Sequence, residues 1–289
     1  MFATSVNRFS KVQVHDVIFK CICVCVLVNV CTDKLSHIIL HMIFDISDLS
    51  VNMPLEVDIN IEKNTRGQSE NPRWQIERQS RLTASSFHEI LHARDIEASC
   101  RKLHERKIQH PYNIAACKFG LESEVPAMKA YARQFNDQVG SYYQPGLCVS
   151  TTYPQLAATP DFIVYSSPYA KARPPVTSKG AWLVEIKTFM PNKLADNIHQ
   201  LAILRGSTFC CAPLADGTLQ LRKEHKFYTQ IIGQLNIVFG SDPLAFCDLV
   251  LYYNGEITTI RVYNDLLLWK QMVKSLLKAC DVYNVCNIN

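Results

Sequence analysis

The sequence predicts a mixed α/β (α+β) domain in which a central mixed β-sheet is flanked by helices. Three observations carry that expectation. Apolar residues recur at helical spacing between Thr83 and Phe135, the period becomes extended between Gly146 and Thr188, and a helix, a strand pair and a closing helix follow. No internal repeat is visible.

Residues 1–70 read as an N-terminal extension without assignable chemistry, and residues 71–289 as the functional domain. The apolar run Cys21–Val30 is shorter than the roughly 20 residues that span a bilayer, so no membrane partner is expected. It starts late, carries Asp16 in its basic flank and lacks a clean small-x-small cleavage site, which argues against a secretory signal and leaves a β-branched strand or a poorly specified extension. The polar segment NTRGQSENP, residues 64–72, marks the break. Beyond it, Thr83 suits the N-cap of a helix to about Arg94, with Ala84, Phe87, Ile90 and Leu91 on one face. A second helix is expected over Ile96–Lys107 and a third over Ile114–Phe135, which Pro126 kinks or begins. Strands follow at Gly146–Ser150, Asp161–Tyr165 and Ala181–Thr188, the last two joined by the exposed loop SSPYAKARPPVTSKG. The remaining elements are a helix over Phe227–Phe239, strands at Ala245–Tyr253 and Glu256–Val262, and a helix over Asp265–Cys280.

A hydrophobic content of 48% is ample for a buried core. The net charge of +4, from 30 Lys+Arg against 26 Asp+Glu, is too slight to identify a polyanionic partner. Its distribution says more. Arg73, Arg78, Arg81, Arg94, Arg101, Lys102, Arg106 and Lys107 fall in one stretch, as either a phosphate-facing stripe or an ordinary solvated helical face. The 12 cysteines contain no CxxC pair, so they read as buried thiols of a reducing, intracellular compartment rather than as zinc ligands.

The residues with chemistry in them are Thr159-Pro160-Asp161 and Glu185-Ile186-Lys187. On a strand, residues two apart share a face, so Glu185 and Lys187 project together. If the two strands are hairpin neighbours, Asp161 joins them. Two carboxylates and the Ile186 carbonyl then form an oxygen-rich pocket suited to Mg²⁺. Such a centre can hydrolyse a phosphodiester, with Lys187 orienting or deprotonating water and stabilising charge.

This P-D…E-x-K pattern is the signature of PD-(D/E)XK nucleases, and the surrounding motifs resemble the YqaJ-type viral recombinase family, to which lambda exonuclease belongs. The resemblance runs from Trp74 to Tyr253. It comprises W-x3-R-x6-S (Trp74, Arg78, Ser85), G-x3-E-x2-A-x3-Y (Gly120, Glu124, Ala127, Tyr131), LAATPDF, LVEIKTF, and FCCAPLADGTLQLRKEHKFYTQIIGQL with Tyr228, Gln230 and Gln234 kept. It implies a restriction-endonuclease-like core and catalytic residues Glu124, Asp161, Glu185, Lys187 and Gln230. It also implies a metal held by Glu124, Asp161, Glu185 and the Ile186 carbonyl, with Mn²⁺ able to replace Mg²⁺, and a DNA 5′-phosphate held by Arg78, Ser85 and Thr159. Glu122 is the neighbouring alternative to Glu124. Two departures stand out: Phe162 where the family has glycine, adding bulk beside Asp161, and Ile232 where it has glutamine.

The leading expectation is a Mg²⁺-dependent 5′-to-3′ exonuclease acting at DNA ends, in recombination, in repair or as part of a viral or mobile element, and nuclear in a eukaryotic cell. By resemblance it is a homo-oligomer, a trimer, with a single-strand annealing partner. The competing expectation is a catalytically idle DNA-binding module. An iron–sulfur nuclease is disfavoured, because Cys210, Cys211, Cys247, Cys280 and Cys286 do not form the close cysteine group that it requires.

Overall fold

The first described elements flank and enter the polar break, where short side chains take over the backbone. Asp58 caps helix α1 (Ile59–Asn64), its carboxylate accepting from the N–H groups of Asn60 and Ile61. Asn71 caps α2 (Pro72–Gln79) at the Arg73 N–H, and Pro72 fills the first helical position, where a missing N–H costs nothing. The protein is described here from a computed structural model over residues 55–109, 115–166 and 180–286. The strand expected at Cys21–Val30 and the loop residues 167–179 lie outside these.

The compact unit runs over Pro54–Asn289 and so takes in the segment before residue 71. Glu62, wholly buried, receives the Gly146 N–H at 3.0 Å and pairs with Arg66. Thr65 accepts the Leu147 N–H at 2.7 Å. Gly146 cannot be otherwise, since a Cβ there would overlap the Glu62 carbonyl.

After α2 come β1 (Leu82–Thr83) and α3 (Ala84–Leu91). Thr83 stands at the N-cap with extended backbone but makes no capping bond; its hydroxyl instead lies 3.3 Å from that of Ser85. Helices α4 (Ile96–Gln109) and α5 (Ala115–Gln134) follow, and α5 continues through Pro126, which sits on its exposed side where water can serve the freed carbonyl.

The strands are β2 (Val139–Tyr143), β3 (Cys148–Val149), β4 (Leu156–Ala158), β5 (Phe162–Ser166), β6 (Ala181–Thr188), the hairpin β7 (Cys211–Pro213) and β8 (Leu219–Leu221), then β9 (Phe246–Tyr253) and β10 (Glu256–Tyr263). Helices α6 (Ile198–Arg205) and α7 (Lys226–Phe239) lie between β6 and β9, and α8 (Leu266–Cys286) closes the chain. The main sheet has the order β10-β9-β6-β5-β2, with β6 and β9 parallel and the other pairs antiparallel. This is the expected class, a mixed sheet flanked by helices. A smaller sheet, β1-β4-β3, carries the approach to Asp161.

Alternation along β5 and β6 decides the faces. Phe162, Val164, Trp182, Val184 and Ile186 pack with Ala127, Met128 and Tyr131 of α5. Glu185 therefore turns away from that core. On the far face α7 crosses α3 closely, and Gly233 permits it: a Cβ there would lie 2.7 Å from the Phe87 ring. Cys100, Cys148, Cys210, Cys211, Cys247 and Cys280 are buried free thiols and Cys117 is exposed. No described helix is long and apolar enough to cross a membrane.

Candidate active site

Hairpin register brings the acids together. Phe162 pairs with Val184, so Asp161 continues beside Glu185 and Ile186, and its Oδ2 accepts the Ile186 N–H at 2.6 Å. Glu185 is 2% exposed. Its Oε1 takes Lys187 Nζ at 2.5 Å and Gln230 Nε2 at 2.6 Å, while Oε2 takes Gln234 Nε2 at 2.8 Å. Gln234, four residues after Gln230, thus faces the same carboxylate; the helical spacing alone could have disclosed it. Its own carbonyl oxygen is buried and has no hydrogen-bond partner among the described residues.

Glu124 of α5 lies within electrostatic reach of Glu185 and Lys187, whereas Glu122 is exposed and pairs with Lys118 at 3.8 Å. The cluster thus holds three carboxyl groups against one ammonium. Burial, then the charge of Glu185, pushes Glu124 up to about 7 and lifts Asp161 well above the usual carboxylate range, with Lys187 opposing both. For Lys187 burial works the other way, but Glu185 first, then Asp161 and Glu124, outweigh it and raise its pKa. Its Nζ also sits 4.9 Å over the Phe227 ring. Glu185's oxygens are occupied by Lys187 and the two glutamines. Among the described residues no three His, Cys, Asp or Glu side chains stand arranged to hold an ion.

A cavity of about 190 Å³ opens on this floor, lined by Arg78, Ser85, Thr159, Asp161, Glu185 and Gln230. Glu124 and Lys187 lie beside it rather than on its wall. Trp74 ties the wall together: its indole N–H donates to the Thr159 hydroxyl at 3.3 Å, and Arg78 lies 4.7 Å over its ring. Ser85 is exposed near the start of α3, where N–H groups favour an anion. Gln68, Thr83, Ala84 and Gln234 complete the lining, and of these Gln68 comes from the polar break.

The two departures from the family pattern fall elsewhere. Phe162 is turned into the core, its ring edge-on to Tyr142 at 5.8 Å, so its bulk does not enter the cavity. Ile232 is fully buried on the side of α7 away from Gln230 and Gln234. Tyr131 of the G-x3-E-x2-A-x3-Y motif is structural: its hydroxyl donates to Asp248 and receives the Trp182 indole N–H. Much of the basic stripe is paired on the surface, Arg73 and Arg81 with Glu77, Arg101 with Glu97, and Arg106 with Glu89.

Comparison with known proteins returns one family model, viral alkaline exonuclease, matching residues 3–180. No curated protein sequence matches the chain. Solved structures with a similar course include the alkaline exonuclease LHK-Exo from Laribacter hongkongensis, at 18% identity and a TM-score of 0.48, over 74% of this chain and 94% of that one. Another is the shutoff and exonuclease protein of Kaposi's sarcoma-associated herpesvirus, at 12% identity and a TM-score of 0.44, over 77% and 72%. The family match ends before Glu185, so Glu185, Lys187 and Gln230 rest on the motifs and the geometry. It spans more than half of the sequence and bears out the lambda-exonuclease-like kinship expected from the motifs: the chain belongs to the viral alkaline exonuclease family of nucleases.

Proposed function

We propose that the protein is a Mg²⁺-dependent deoxyribonuclease that removes nucleotides from the 5′ ends of DNA, with Mn²⁺ as a working substitute. The observation that carries this reading is the excess of carboxylates around Lys187 at the floor of a cavity that Arg78, Ser85 and Thr159 also line. The donor set suits a hard cation, because it is all oxygen and because three carboxyl groups face a single ammonium there. Asp161, Glu185, Glu124 and the Ile186 carbonyl would hold it. A divalent ion so bound lowers the pKa of water and neutralises the departing oxygen.

The chain's own residues supply the rest. Arg78, held over the Trp74 ring, and the hydroxyls of Ser85 and Thr159 hold the terminal phosphate and so choose which bond reaches the carboxylates. Gln230 and Gln234 orient the Glu185 carboxylate through donated bonds. Lys187, paired with Glu185 beside the cation site, would orient the attacking water and stabilise charge on the phosphoryl oxygens.

The test uses end-labelled duplex DNA with either a 5′-phosphate or a 5′-hydroxyl, in Mg²⁺. Release of 5′-terminal mononucleotides is expected, with Lys187→Ala slower by ~10²–10³-fold and Arg78→Ala losing the preference for the phosphorylated end. DNA that is bound yet uncut by the wild-type protein would favour the idle binding module instead.

A further inference from the structure

Two described non-glycine residues have positive φ, Asn254 at 51° and Gln68 at 46°. Asn254 begins an Asn-Gly hairpin turn between β9 and β10, where that conformation is demanded. Gln68 has no such reason. It follows Gly67, itself left-handed at φ 87°, in a three-residue turn of polar chain, and glutamine lacks the short side chain that makes this region tolerable to asparagine. Backbone strain that persists at one place implies that something else fixes the residue there.

The side chain supplies that reason. Gln68 Nε2 donates to the carbonyl oxygens of Pro145 at 3.0 Å and Pro160 at 3.4 Å, 77 and 92 residues away in sequence. Pro145 precedes Gly146, which is locked onto Glu62, and Pro160 stands between Thr159 and Asp161. Gln68 lines the same cavity as those two residues. One amide therefore bridges a rigid anchor and the short link on which both a phosphate-facing hydroxyl and a catalytic carboxylate are carried.

We propose that Gln68 is a positioning residue of the active site, holding the Pro160 carbonyl against the Pro145 anchor so that Thr159 and Asp161 keep their places at the cavity. The effect on turnover rests on the nuclease reading above; the positioning does not. Gln68→Gly separates side chain from backbone, because glycine takes the left-handed conformation without strain while removing the amide.

In Gln68→Gly the melting temperature stays equal or rises, and amide hydrogen exchange quickens at Thr159, Asp161 and Phe162 but not across the sheet. Cleavage of end-labelled DNA falls by ~10–100-fold, the scale set by small misplacements of reacting groups. Gln68→Asn tolerates the backbone but is one methylene too short, so it behaves as glycine does and serves if the glycine variant fails to fold. Unchanged exchange at those three amides overturns the proposal, as does faster exchange throughout with a lowered melting temperature. Full cleavage by a variant with the local exchange change overturns it too. Local exchange that changes while wild-type protein leaves DNA uncut refutes the nuclease reading and leaves the positioning standing.

Discussion

Asp248 and Glu185 lie on neighbouring strands of one sheet, facing opposite sides, and keep very different company. Asp248, wholly buried, meets Arg261 through two bonds at 2.8 and 2.9 Å and accepts the Tyr131 hydroxyl, itself bonded to Trp182. One charge answers one charge, and the lone pairs are used. Around Glu185 a single ammonium must answer three carboxyl groups, two of which burial and repulsion have pushed up. A balanced buried pair holds structure together once formed. An unbalanced one costs stability until a further positive charge arrives, and that unmet charge is what a metal and a phosphoester chemistry need.

The contrast can be broken by experiment. Asp248→Asn strands Arg261 and should lower stability by ~3–5 kcal/mol, read by denaturant unfolding; a loss below 1 kcal/mol would mean that the pair is no better than a surface one. Mg²⁺ at about 100 times its Kd should stabilise the wild-type protein by ~2.7 kcal/mol in a thermal melt and leave Asp161→Asn unmoved. An equal shift in both proteins would place the ion elsewhere.

A third buried charge sharpens the comparison, because it has no carboxylate partner. Lys107 donates to the carbonyls of Arg78 and Arg81 at 2.9 and 2.6 Å and to the Tyr283 hydroxyl at 3.0 Å, closing the end of α2. Burial, then the charge of Arg78, lowers its pKa to about 7 from 10.5. Between those values the unfolded chain binds the extra proton, so stability should rise with pH across that window, by at most ~1.4 kcal/mol per pH unit. Lys107→Met should flatten the rise. The smallest effect belongs to the unbalanced cluster: Glu124→Gln removes one repelling charge and should raise metal-free stability by ~0.5–2 kcal/mol while lowering cleavage. Loss of stability instead would show that Glu124 is already compensated.

How far the sequence announces this arrangement depends on how local each signal is. Glu185 and Lys187 are legible because strand alternation puts them on one face, and Asp161 because the hairpin register follows from two apolar runs. The α7 glutamines share one helical face. Gln68 is illegible, since its partners are backbone carbonyls 77 and 92 residues distant, and a polar NTRGQSENP composition looks the same whether or not it is pinned. Strands β1 and β4, two and three residues long, exist through their parallel pairing and carry no period to detect. The departures at Phe162 and Ile232 illustrate the converse: a linear motif records which residue differs, but only the fold records which way it points.

The crossing at Gly233 has a consequence for how such proteins can drift. Because α3 delivers Ser85 and α7 delivers Gln230 and Gln234, the contact between Gly233 and Phe87 sets the gauge of the cavity between them. A lone methyl at 233 would act as a shim, prising the two helices apart and widening the slot. A larger residue there is therefore admissible only with a trimmed one at 87, and the two positions should change hands together as substrates of different girth are accommodated.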